Sequence, residues 1–220
     1  MSDSAAEVVE RLRRLARGRG GGDEAQPVVV RKSAPAGTAH CDLCGGLMAA
    51  EDHRHLLQLT DRRILCACEP CIAMRAGEAD LRPTGTRATL VNGFVLDDEL
   101  WARFQIPIGL AFFMVSSAAD GSVVALYPSP AGATESELYL EAWNELVSAN
   151  PVLKGLEPEV EALVVNRLAD PPQYAIVPID RCYELVGMIK STWEGISGGN
   201  AVENAVESFF ARLQHARSAT

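Results

Sequence analysis

The sequence predicts an α+β protein, in which a small cysteine-rich module precedes a larger domain built on a mostly antiparallel sheet. Three observations lead there. Five of the six cysteines fall between Cys41 and Cys71. Beyond residue 84, apolar runs of strand character come in pairs around turn residues, as at 108–116 and 122–127, which flank Ala119-Asp120-Gly121. Between such pairs lie segments with the apolar period of a helix. Hairpins separated by helices favour antiparallel pairing over a parallel, doubly wound sheet.

Residues 1–37 read as a flexible tail. Within them, 4–17 has the pattern of an amphipathic helix, with Ser4 and Glu7 as a capping box and Val8, Val9, Leu12 and Leu15 on one stripe. The following Arg17-Gly-Arg-Gly-Gly-Gly is a linker by composition. A short helix on such a tether cannot bury its own stripe, so it is either marginal or a docking segment for a partner.

Residues 38–84 form the cysteine-rich module. Cys41-x2-Cys44 opens it, and Gly45-Gly46 allows the tight turn that aims two sulfurs at one centre. From His55 two short strands joined by Thr60-Asp61-Arg62 read as a hairpin. Glu69-Pro70 then leads into a helical run, which places Cys68 and Cys71 at a helix start, where the free N–H groups favour thiolate over thiol. Two Cys-x2-Cys pairs at this separation are the sequence form of a tetrahedral thiolate metal site. The expected ligands are Cys41, Cys44, Cys68 and Cys71. Knuckle, hairpin and helix in this order resemble a treble-clef zinc finger over residues 40–77. Zn2+ is the expected ion; iron, or an iron–sulfur cluster given the fifth thiol, is the alternative. Cys66 is an additional candidate ligand, because on one continuous strand Cys66 and Cys68 would share a face. His40, His53 and His55 are near enough in sequence to replace a cysteine. A disulfide framework is not expected, since no apolar signal segment opens the chain.

Residues 85–220 are expected to fold as the α+β domain. Strands are expected at 87–91, 108–116, 122–127, 161–167 and 173–179. A helix at 97–104 turns Leu100, Trp101 and Phe104 inward. Residues 128–136, rich in small polar groups, read as a rigid loop and candidate contact surface. Thr134 and Glu137 read as the capping box of a helix burying Tyr139, Trp143, Leu146 and Val147. Asp180 reads as the cap of the next helix, in which Cys182 is a core residue. Gly195–Gly199 reads as a turn, followed by a last helix capped by Asn200 and Glu203, with Val202, Ala205, Val206, Phe209, Phe210 and Leu213 as its buried stripe.

Composition narrows the function. With 48% hydrophobic and 22% charged residues, the chain has the make-up of a soluble globular protein. No apolar run reaches spanning length, so no transmembrane segment is expected, and the expected location is cytoplasmic. Residues 85–220 carry eight Lys/Arg against seventeen Asp/Glu, a net −9, which repels a phosphate backbone and speaks against nucleic acid as a partner. No histidine lies between His55 and His215, so the larger domain has no Ser-His-Asp or Cys-His arrangement of its own, and no catalytic or cofactor-binding residues are assigned.

Cys-Asp-Leu-Cys-Gly, His-Arg-His-Leu-Leu, Cys-Ala-Cys, Pro-Ile-Gly-Leu-Ala-Phe-Phe, Tyr-Pro-Ser-Pro-Ala-Gly-Ala-Thr-Glu-Ser, Val-Glu-Ala-Leu-Val-Val-Asn-Arg and Val-Pro-Ile-Asp-Arg-Cys-Tyr-Glu-Leu-Val-Gly resemble, over residues 38–214, an uncharacterised actinobacterial family. Its members are often encoded beside high-affinity [NiFe]-hydrogenase genes. The resemblance implies a genomic neighbourhood and no established activity; together with the cysteine cluster it leads to the expectation of a non-catalytic metal-binding accessory protein that supports assembly or function of a hydrogenase by contact with a subunit or maturation factor. The alternative expectation is an electron-transfer protein serving the same enzyme, with rubredoxin-like or iron–sulfur iron at the thiolates in place of zinc.

Overall fold

The computed structural model describes residues 36–50, 53–75, 77–117, 122–136, 138–192 and 199–218. Pro35–Thr220 form one compact unit. The expected helix at 4–17, the turn at 119–121, the cap residue Glu137 and most of the turn at 195–199 lie outside the described residues.

In chain order the elements are β1 (Thr38–His40), β2 (Leu47–Ala49), β3 (Arg54–Gln58), β4 (Arg63–Ala67), α1 (Glu69–Arg75), β5 (Leu81–Pro83), β6 (Thr89–Leu90), α2 (Asp98–Arg103), β7 (Leu110–Val115), β8 (Val123–Ser129), β9 (Gly132–Ser136), α3 (Leu140–Ala149), a 3-10 turn (Pro151–Gly155), β10 (Glu161–Asn166), β11 (Gln173–Pro178), α4 (Ile179–Thr192) and α5 (Gly199–Ser218). They form a β1-β2 hairpin, a three-stranded sheet in the order β4-β3-β5 and a six-stranded sheet in the order β6-β11-β10-β7-β8-β9. Every pairing among them is antiparallel. The α+β class read from the sequence is the class of the fold.

Helices cover both faces of the large sheet, which is why its inner strands are apolar throughout instead of alternating. Leu110, Phe112 and Met114 of β7 face the side of α4 and α5, with Ile189, Phe209 and Phe210. Ala111 and Phe113 face the opposite side, toward Phe104 after α2 and Trp143 and Leu146 of α3. Phe113 is fully buried, its ring centroid 5.0 Å from that of Phe104 and 5.7 Å from that of Trp143. The small sheet is sided too. Leu57 of β3 belongs to the large core, while its neighbour Leu56 packs with Cys41, Leu65 and Ala67 in the core of the cysteine module.

Four local expectations are corrected. Residues 128–136 are not a loop: β8 continues through Pro128, which pairs with Ala133, and the chain reverses at Ser129–Gly132 to form β9. The reversal needs Gly132, at φ 121°, a region that favours glycine. Thr134 therefore sits in a strand and caps nothing; α3 starts after Tyr139, which is 56% exposed and makes no side-chain cap. Asp180 lies inside the first turn of α4 and spends its carboxylate on His55. Glu135, within the proposed contact surface, is paired with Arg62 at 3.0 Å. Pro83 ends strand β5, which lies at a sheet edge where a missing N–H costs no ladder bond.

Phe113→Ala is expected to destabilise the protein by about 3–5 kcal/mol, because it leaves a cavity between two aromatic rings. Denaturant titration measures this. Cys182 is 1% exposed, and burial holds its thiol well above the ordinary range. It is therefore expected to resist iodoacetamide until the chain is unfolded, as peptide mapping would show.

Candidate metal centre

The knuckle is closed by the backbone. The N–H of Cys41 donates to the carbonyl of Gly46 at 2.8 Å, and that of Gly45 donates to the carbonyl of Cys41 at 2.9 Å. Gly45 takes φ 73°, as the Gly-Gly pair requires. Asp42 fastens the knuckle to β4: its N–H donates to the carbonyl of Cys66 at 2.7 Å, and its carboxylate accepts from the N–H of Cys66 at 2.8 Å. Cys68 follows the end of β4 and Cys71 lies in the first turn of α1, with the N–H of Ile72 bonded back to the carbonyl of Cys68.

These constraints bring four sulfurs together. Those of Cys41, Cys44, Cys68 and Cys71 all lie within 4.8 Å of one another, and Cys44 and Cys68 are 3.9 Å apart. A tetrahedral ion with metal–sulfur bonds of about 2.3 Å separates its ligands by roughly 3.8 Å. The cluster could therefore hold a metal ion with little movement. Cys41 is buried, Cys44 exposed, and Cys68 and Cys71 are in between.

The electrostatics also fit a cation. Burial would raise the Cys41 thiol, but N–H groups of Cys68, Cys44 and Leu43, with the Cys44 thiol, outweigh it and bring the group down to about 6. Cys71 is pushed up to about 12, first by its hydrogen bond to Cys68, then by burial and by the other two cysteines. The helix start does not make Cys71 a thiolate by itself, contrary to the sequence expectation. Four thiolates at this spacing repel, and the one that ionises last retains its proton unless a cation replaces it.

A model of a family of unknown function (DUF5947) matches residues 40–217. The chain belongs to DUF5947. No curated protein and no solved structure matches it. The stretch shared with DUF5947 takes in all five clustered cysteines and both larger sheets.

Within this DUF5947 chain, the structure brings the four expected cysteines together and leaves Cys66 apart. Residue 66 is opposite His55 in the β3-β4 register. Alternation along β4 turns Leu65 and Ala67 toward the cysteine module and Cys66 to the other side. Cys68 would share that side only if the strand continued, and β4 stops at Ala67. Cys66 instead groups with His53 and His55 within 4.8 Å. His40 keeps to the knuckle, its ring nitrogen 3.4 Å from the carbonyl of Gly45. His55 Nδ1 donates to Asp180 Oδ2 at 2.6 Å. That bond first, and the one to Cys66 second, raise the imidazole to about 9 against the opposing effect of burial. Asp180 and Asp42 were missed as site residues. Asp42 stands beside Cys41 and could have been suspected; nothing in sequence ties residue 180 to residue 55.

Because metal loading must displace the proton held on Cys71, affinity for a divalent cation is expected to rise steadily between about pH 6 and pH 8. Competition against a chromophoric chelator measures it; a flat profile would contradict a thiolate site.

Proposed function

We propose that the protein is a non-catalytic, cytoplasmic accessory protein whose cysteine module is built on a structural Zn2+ ion held by Cys41, Cys44, Cys68 and Cys71. The observation that carries this is the cluster of four sulfurs, all within 4.8 Å of one another, with a backbone-closed knuckle. Zinc suits a closed four-thiolate shell. The module at 38–84 and the α+β domain at 85–220 are read as two parts with different tasks, metal-stabilised contact and scaffold. Its partner is proposed to be a subunit or maturation factor of a [NiFe]-hydrogenase. Support for that partner comes from the motifs that resemble the hydrogenase-associated family. Among the described residues no helix is long and apolar enough to cross a membrane.

One observation favours a second reading. Cys44 is exposed, which would give an iron–thiolate centre an edge for electron transfer to the same enzyme. The two readings separate on purification: zinc gives a colourless protein, iron a visible thiolate-to-metal band.

The expected result is about one zinc per chain retained through a mild chelator wash. Cys41→Ser is expected to lose it and unfold the module, since a structural zinc contributes on the order of 10 kcal/mol to a small fold. Cys66→Ala is expected to retain it. Elemental analysis and circular dichroism decide both. Tagged protein should recover hydrogenase components from the native host, and failure to do so would remove the partner from the proposal.

A further inference from the structure

The face of β3 and β4 that looks away from the four-cysteine cluster carries its own ligand set. On that face Leu57 and Ile64 are apolar and join the large core. One step along, the same alternation presents His55 and Cys66 in place of more aliphatic side chains, and His53 stands just before β3. Their ligand atoms lie within 4.8 Å of one another, and the two imidazole rings meet edge-on with centroids 4.8 Å apart.

Both imidazoles are held through Nδ1 by an acceptor outside the cluster. A backbone carbonyl only accepts, so the Nδ1 of His53, bonded to the carbonyl of Ala50, carries the proton and leaves Nε2 with its lone pair. The Asp180 carboxylate accepts from Nδ1 of His55 at 2.6 Å, which leaves the other ring nitrogen for Cys66, whose hydrogen bond to the ring a shared metal ion would replace. Histidines that bind metal are oriented by this kind of outer bond, to a carboxylate or a backbone carbonyl. Asp180 is placed for it at a cost, since its second oxygen is buried without a hydrogen-bond partner. A cleft of about 420 Å3 beside α4 reaches both imidazoles. The charge of Arg181 at its rim is balanced by Glu184 at 2.8 Å.

We propose that His53, His55 and Cys66 form a second metal site. It would take one divalent transition-metal ion of borderline softness, such as Zn2+ or Co2+, through two imidazoles and one thiolate. The fourth coordination position is left to water in the cleft. Imidazole and thiolate donors together select this class over Mg2+ or Ca2+. Three protein ligands with an open position distinguish it from the closed four-sulfur cluster, so it exchanges its ion more readily. Tetrahedral ligands of this kind stand roughly 3.3–3.8 Å apart, a contraction that side-chain rotation can supply.

The test uses the full chain, washed with a mild chelator and titrated with Co2+ and with Zn2+, the stoichiometry read by native mass spectrometry and the ligands by the cobalt spectrum. The expected total is two ions per chain. Cys66→Ala should bind one, with an unchanged four-thiolate cobalt spectrum. His53→Gln, which leaves the His55–Asp180 pair in place, should weaken the second ion at least about tenfold, in line with loss of a ligand contact. Cys41→Ser should keep the second ion while losing the first. That pattern separates this site from the zinc site proposed above: loss of the ion from Cys41→Ser alone bears on the cluster, and loss from Cys66→Ala alone bears on this site. A single ion in the wild type, two ions in both Cys66→Ala and His53→Gln, or iodoacetamide labelling of Cys66 that Zn2+ does not slow would each overturn the proposal. The last outcome would point instead to a thiol paired with His55 for nucleophilic chemistry.

Discussion

The β3-β4 hairpin has a different core on each side, and much of the molecule follows from that. Successive side chains of a strand must face opposite ways. Leu56, Leu65 and Ala67 therefore serve the cysteine module, while Leu57 with Ile64 serves the sheet and helices of the larger domain. A one-residue slip in register would exchange the two sets and bury the wrong ones. The clamp between Asp42 and Cys66, one bond from the Asp42 N–H and one to its carboxylate, holds the knuckle to β4 at the point where that register matters.

The same alternation decides the chemistry of the fifth cysteine. Cys66 and Cys68 are two apart, but the strand ends between them and the chain turns into α1. One thiol is delivered to the four-sulfur cluster and the other to the histidine side. In the cluster, backbone N–H donors stabilise charge on Cys41, while the hydrogen bond to Cys68 first, and burial next, hold the proton on Cys71. A divalent cation removes that conflict, so folding of the module and metal binding are one equilibrium.

The class of the fold, the hairpins at 108–127 and 161–179 and the buried stripe of the last helix were legible because their signals are local: alternation, turn residues and the period of 3.6. The four-cysteine set was legible for the same reason, as a spacing. Where the reading failed, the deciding contact was distant. Prolines at 128 and 130 hid the β8-β9 hairpin, because Gly132 supplies a turn that composition alone reads as a loop. Asp180 matched a helix cap and was taken by a histidine 125 residues away. The parity of Cys66 was in reach, since the hairpin pairs residues whose numbers sum to 121, but it required knowing that the strand stops at Ala67.

The central claim is that Cys41, Cys44, Cys68 and Cys71 alone surround one ion. X-ray absorption at the metal edge, on protein loaded with a single equivalent, tests it most directly. Four sulfur neighbours at about 2.3 Å with no nitrogen shell is the expected result. A first shell of mixed nitrogen and sulfur at that loading would contradict it, because the tightest ion would then include a histidine that the hairpin turns away from the cluster.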